Sequence, residues 1–197
     1  MSGRRRPLPP GLLLTPGAGA DRNQSALVAI DDAVSATGMV VERMDFPYRL
    51  AGRRAPDRAP VLIAAVRAGA EALAPRVSAL ALGGRSMGGR MCSMAVAEGL
   101  AAQALVLVSY PLHPPGNPDK RRVEHLPLLE VPCLFVSGTR DAFGRPEELL
   151  EATNAIPGPV THHWIEGGDH GLRRADAEVA RVVSDWLTAL LVLPTTG

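Results

Sequence analysis

Ser78-Ala79-Leu80-Ala81-Leu82-Gly83-Gly84-Arg85-Ser86-Met87-Gly88-Gly89-Arg90-Met91-Cys92-Ser93-Met94-Ala95-Val96-Ala97 changes character halfway along. Residues 78–82 are a short apolar run that ends at glycine, the pattern of a buried strand, and from Met87 to Ala101 apolar residues recur at helical spacing. Between the two, Gly84-Arg85-Ser86-Met87-Gly88 matches G-x-S-x-G. A serine on so tight a strand-to-helix turn has a strained backbone that pushes its hydroxyl out of the sheet. Only glycine lets neighbouring chain approach that closely. The pattern of five residues is weak by itself, and the strand before it and the helix after it make it informative.

Outward from this stretch, short apolar or β-branched runs alternate with longer segments of helical period. Strands are expected at 11–15, 39–45, 78–82, 104–109, 133–137 and 161–165, and helices at 23–37, 57–74, 87–101, 146–155 and 176–193. This alternation is the signature of βαβ units, so the fold class is α/β, a mostly parallel sheet of about six strands with helices on both faces. Pro146 followed by Glu147 and Glu148 suits a first helical turn, where proline lacks no needed donor and acids face the positive helix end. No internal repeat or linker divides the chain. Residues 11–193 are expected to form one domain, behind a tail of residues 1–10 whose run Arg4-Arg5-Arg6 is solvated.

Composition narrows the function. The chain is 46% apolar and 21% charged, as expected of a globular domain. Its formal net charge of +1 gives no electrostatic reason to bind nucleic acid or an anionic membrane. The expected partner is a small molecule, met by a monomer or homodimer. All basic residues but Lys120 are arginine, which reads as compositional bias and carries no functional weight. Cys92 and Cys133 have neither metal-site nor disulfide-framework spacing, and the apolar stretch Leu12-Leu13-Leu14 is too short for a signal-peptide core. A cytoplasmic protein without metal or cofactor is expected.

Serine is a poor nucleophile at its free pKa, so the turn has chemical meaning only with a base and an acid that orients the base, in the chain order Ser, Asp or Glu, His. Asp141 follows the strand 133–137 through Gly138-Thr139-Arg140, and His170 follows the last strand through Glu166-Gly167-Gly168-Asp169. Both arrive at the carboxyl edge of the sheet, where ligands gather in open α/β folds. The plainer readings are a serine that caps its helix, an aspartate that caps the turn before Pro146, and a loop histidine. Asp169, Glu166, Asp119, His113, His162 and His163 are the competing residues. Asp169 adjoins His170, where side chains diverge, and His162 and His163 lie within a strand.

An oxyanion needs donors. The amide of Met87 is expected to be one, and the second is expected from Pro16-Gly17-Ala18-Gly19-Ala20, at Ala18 or Gly19. That loop lacks the G-x-x-x-x-G-K-[ST] and G-x-G-x-x-G arrangements of phosphate cradles. Gly17, Arg85, Tyr110 and His113 flank these groups on the same edge and are expected to contact substrate; for His113 the plainer reading is a polar loop residue.

Taken together, LLLTPGAGA at Leu12 to Ala20, GGRSMGGRM at Gly83 to Met91, SYPLHPPGNP at Ser109 to Pro118, LFVSGTRDAFGRPEEL at Leu134 to Leu149 and GGDHGL at Gly167 to Leu172 resemble a known family. The chain is similar to the small α/β-hydrolases related to dienelactone hydrolase, in the branch that also includes the hydrolase-like domain of a histone acetyltransferase complex subunit. The resemblance implies the α/β-hydrolase fold and a Ser-Asp-His triad on Ser86, Asp141 and His170. The chain departs from the family at Pro16, where members often carry histidine, and in its serine, where dienelactone hydrolases proper use cysteine. Their substrate is therefore not implied.

These readings converge on a serine hydrolase that acts on a small ester or related acyl substrate. A catalytically weak scaffold protein of the same fold and an acyltransferase with the same triad are the alternatives. Larger hydrolases insert a lid between the strands that here end at Ser109 and begin at Cys133. Residues 110–132 are too few for a lid and must also cross back to the sheet, with a helix expected over 121–126 and a stiff rim at Tyr110 to Pro118, which holds Pro111, Pro114, Pro115 and Pro118. An open site without a lid domain follows.

Overall fold

The computed structural model describes residues 7–192, and the readings made for residues 1–6 and 193–197 lie outside the described residues. Six strands, β1 (Gly11–Thr15), β2 (Val40–Arg43), β3 (Leu80–Arg85), β4 (Ala104–Val108), β5 (Cys133–Gly138) and β6 (Val160–Ile165), form one sheet in the order β2-β1-β3-β4-β5-β6. Every neighbouring pair is parallel. Strands buried on both faces read as continuous apolar runs, which is why β1 and β4 were legible as such. Pro9 and Pro10 extend the sheet beyond the expected tail boundary: lacking donors, they still accept bonds through their carbonyls from Ser78 and Val40.

The alternation of side chains along each strand divides the core in two. Leu12, Leu14, Val106, Val108, Leu134 and Val136 pack beneath α1 (Ser25–Ser35) and α6 (Asp176–Leu191), which lie against each other. Leu13, Leu82, Leu105, Leu107 and Phe135 face the opposite layer, built from α3 (Ala59–Leu73), α4 (Met87–Ala97) and α5 (Pro146–Thr153). A short α2 (Pro47–Leu50), absent from the sequence reading, starts at a proline and buries Tyr48. Helix α4 stops at Ala97 rather than continuing to Ala101, because Gly99 adopts a left-handed φ of 91°. No helix among the described residues is long and apolar enough to cross a membrane.

The crossover from β4 to β5 differs from expectation. Residues 121–126 do not form a helix; the segment turns irregularly and closes in a single 3₁₀ turn, Leu126–Leu128. His125 is drawn instead into hydrogen bonds with Ser93 and Tyr110, tertiary bonds that a helix facing solvent would forgo.

The strand order fixes where a ligand belongs. The chain leaves β1 to one side for β2 and returns on the other side at β3, so β1 and β3 flank a topological switch point. The loop after β1 and the turn at Ser86 stand on its two sides.

Candidate active site

Ser86 has φ 51° and ψ −119°, a conformation rare outside glycine, between β3 and α4. Its amide donates to the carbonyl of Val108 at 2.8 Å and its carbonyl accepts from Arg90 at 3.1 Å, so two elements over-determine the strained backbone. The flanking glycines make the turn possible. A Cβ at Gly84 would strike the Thr15 side chain and stand 2.6 Å from its carbonyl oxygen, and one at Gly88 would lie 2.5 Å from the same carbonyl. Gly88→Ala is accordingly expected to destabilise the fold by about 1–3 kcal/mol, since backbone cannot yield as a flexible side chain can. Denaturant unfolding measures this, and an unchanged midpoint would show that the turn tolerates a wider separation from β1.

The turns after β5 and β6 bring a carboxylate and an imidazole to this serine. Ser86 Oγ lies 2.8 Å from His170 Nε2, and His170 Nδ1 lies 2.9 and 3.0 Å from the two oxygens of Asp141. A buried ionised carboxylate only accepts, so Nδ1–H donates to Asp141 and Nε2 is left to accept the Ser86 proton. The Asp141 side chain is fully buried and also accepts from the Phe143 amide at 2.8 Å. The Phe143 ring stacks on the imidazole with centroids 4.0 Å apart. Arg85, the variable residue before Ser86, donates from its guanidinium to the His170 carbonyl at 2.6 Å, tying the histidine loop to the nucleophile strand. Burial lowers the pKa of Arg85, and the carboxylates of Asp141, Asp176 and Asp169 act against that shift.

The loop after β1 separates its amides. Gly17 N–H donates to Gln24 at 3.0 Å and Gly19 N–H to the Tyr48 hydroxyl at 3.1 Å, so both are already engaged. Among the described residues the amides of Ala18 and Met87 have no acceptor, and both residues line one cavity with Ser86. Of the two glycine-loop donors expected, Ala18 is available and Gly19 is not.

That cavity, about 360 Å³, is also walled by Met91, Pro111 and Phe143. Pro111, itself buried, is the one residue of the proline-rich segment 110–118 that lines it, so that segment contributes to the wall and not an exposed rim. None of the four residues expected to touch substrate, Gly17, Arg85, Tyr110 and His113, lines the cavity. Tyr110 is buried, with its hydroxyl 3.1 Å from His125, and burial pushes its pKa up to about 12. His113 is buried against α5, donating from Nδ1 to Pro114 at 2.9 Å with Nε2 3.3 Å from Glu148. Arg85 and Gly17 act instead through the bonds above, Arg85 on the His170 carbonyl and Gly17 on Gln24. Of the other competing residues, His162 is held by Thr153, His163 by Glu178, Glu166 by Thr139 and Asp169 by the Gly171 amide, and Asp119 is exposed outside the cavity lining. Phe143 was missed by the sequence reading; its position two residues after the candidate acid was the available signal.

A serine hydroxyl on a strained turn, joined through an imidazole to a buried carboxylate and flanked by two free amides, is equipped for acyl chemistry. Comparison with known proteins agrees with this architecture. An α/β serine hydrolase without lid from Xanthomonas campestris superposes with a TM-score of 0.77 at 20% identity, covering 100% of this chain and 88% of that one. Est1E from Butyrivibrio proteoclasticus gives 0.76 at 14% identity over 96% and 91% of the two chains, and a dienelactone hydrolase from Anabaena variabilis gives 0.72 at 18% over 93% and 88%. At these identities the likeness is one of fold. A family model for the alpha/beta hydrolase domain matches residues 9–188, nearly the whole chain, and the protein therefore belongs to the α/β-hydrolase family.

Proposed function

We propose that the protein is a lid-less serine hydrolase of small esters, among the members similar to dienelactone hydrolase. The observation that carries this reading is the unbroken hydrogen-bonded line from Ser86 Oγ through His170 to Asp141. Ser86 Oγ attacks the ester carbonyl as His170 takes its proton, and the amides of Ala18 and Met87 stabilise the oxyanion. Collapse breaks the ester C–O bond, and the alcohol leaves with the proton from His170. Water then adds to the acyl carbon by the same route, its proton passing through His170 back to Ser86 as the acid departs. Asp141 stays ionised throughout and stabilises the imidazolium. Phe143 and Arg85 act by holding the histidine.

Residues 110–132 form no helical cap beyond the 3₁₀ turn Leu126–Leu128, and a cavity of about 360 Å³ without such a cap favours small or partly exposed acyl groups over long chains. The two free, buried cysteines fit a reducing compartment such as the cytoplasm. A fluorophosphonate probe tests the assignment: covalent labelling of the wild type and none of Ser86→Ala is expected, and equal labelling of both overturns it.

A further inference from the structure

Arg90 and Arg122 both line the Ser86 cavity, and neither has a carboxylate within ion-pair distance among the described residues. Arg90 lies one helical turn beyond Ser86 on α4, and Arg122 comes from the crossover, where its amide is pinned to the Leu112 carbonyl at 2.8 Å. Every other half-buried arginine among the described residues has a partner: Arg43 with Asp31, Arg49 with Asp21, Arg67 with Glu98, Arg121 with Glu151 and Arg85 with the His170 carbonyl. Arg90 and Arg122 have no ion pair among the described residues, and Arg90 Nε is buried without a hydrogen-bond partner.

Their surroundings leave the charge uncompensated. Burial lowers the pKa of Arg90; Tyr110 acts against that shift, repulsion from Arg122 adds to it, and Glu124 opposes it from outside ion-pair distance. His125, behind Arg90, is held near pKa 4 by burial and by Arg90, so it is neutral at pH 7 and contributes nothing to the balance. Asp57 lines the cavity too, but its carboxylate is taken by Arg53 at 2.8 Å. Arginine forks left unpaired in a partly desolvated wall are costly in the empty protein and suited to bidentate capture of an anion.

We propose that the cavity selects esters whose acyl part carries a second, free carboxylate, bound between Arg90 and Arg122 while the ester carbonyl faces Ser86. This rests on the hydrolase reading. A helix rises about 1.5 Å per residue, so Arg90 is placed roughly 6 Å along the axis from the nucleophile, and the carboxylate belongs a few bonds from the scissile carbonyl. Half-esters of succinic or glutaric acid have that reach.

The test compares mono-4-nitrophenyl glutarate with 4-nitrophenyl butyrate, and binding of monomethyl glutarate with binding of phenyl phosphate to Ser86→Ala by calorimetry. The acidic ester is expected to be preferred about tenfold to a hundredfold in kcat/KM, the worth of a charge-assisted hydrogen bond. That preference is expected to fall close to unity in Arg122→Gln, whose thermal midpoint checks folding. Monomethyl glutarate is expected to bind Ser86→Ala, and not the variant that also carries Arg122→Gln. Absence of any charge preference in a protein that the fluorophosphonate labels overturns this inference alone. Carboxylate binding that depends on Arg122, in a protein that the probe does not label, upholds the anion site and sinks the hydrolase reading. Tighter binding of phenyl phosphate than of monomethyl glutarate overturns the assignment to carboxylates.

Discussion

Replacing either Ser86 or His170 by alanine is expected to lower kcat toward a small ester by about a million-fold, with little further loss when both are replaced. The reason is that neither group works alone. The Ser86 hydroxyl acquires nucleophilic character only as its proton moves to Nε2, 2.8 Å away, and the imidazole has no other task in the mechanism. Once one is gone, the other has nothing left to contribute. What remains is binding and the two free amides, which by themselves give roughly 10³–10⁴ over the reaction in water. Single-turnover kinetics with 4-nitrophenyl acetate on the two single variants and the double variant measure the coupling. Losses that multiply in the double variant would mean independent roles and would rule out a shared proton.

Much of this architecture is legible in the sequence because the physics that sets it is local. A strand covered on both faces has to be apolar throughout, so Leu12 to Leu14 and Leu105 to Val108 announce themselves, and their faces follow from alternation. The glycines around Ser86 are equally legible, since each answers a close contact that a Cβ would close: Gly84 and Gly88 with Thr15, Gly83 with Val106 and Gly89 with the Gly84 carbonyl. Chain order then places Asp141 and His170 at the same edge.

The parts that were not legible depend on long-range competition. Whether Ala18 or Gly19 offers its amide is decided by Tyr48, some thirty residues along the chain, whose hydroxyl claims Gly19. The crossover 110–132 carries charges at a spacing compatible with a helix, yet Tyr110 and Ser93 capture His125 and the segment folds around those bonds. The same network draws the Tyr110 side chain inward, away from the cavity that its place after β4 suggested. Arginine abundance masked a meaningful pair: only in three dimensions do Arg90 and Arg122 separate from arginines that are simply paired at the surface. The position of Arg90, four residues after Ser86 on the helix the elbow begins, was the one available sign.

Asp141→Asn is expected to be the second large loss, about ten-thousandfold in kcat with the fold retained. The substitution is nearly isosteric, so its effect is one of hydrogen-bond direction. In the native protein both Asp141 oxygens accept: Oδ1 from the Phe143 amide at 2.8 Å, and the pair together from His170 Nδ1 at 2.9 and 3.0 Å. An asparagine keeps one acceptor, which the fixed backbone donor of Phe143 claims, and turns its NH₂ toward the imidazole. Nδ1 must then accept, the ring proton moves to Nε2, and Nε2 points a hydrogen at Ser86 instead of a lone pair. The serine proton has nowhere to go at neutral pH, although every heavy atom stands where it stood. The side chain is fully buried, so water cannot substitute for the lost acceptor. Steady-state kinetics at pH 7 together with a thermal melt separate this from unfolding. A folded Asp141→Asn protein within tenfold of wild-type kcat would show that another group orients His170 and would remove Asp141 from the mechanism.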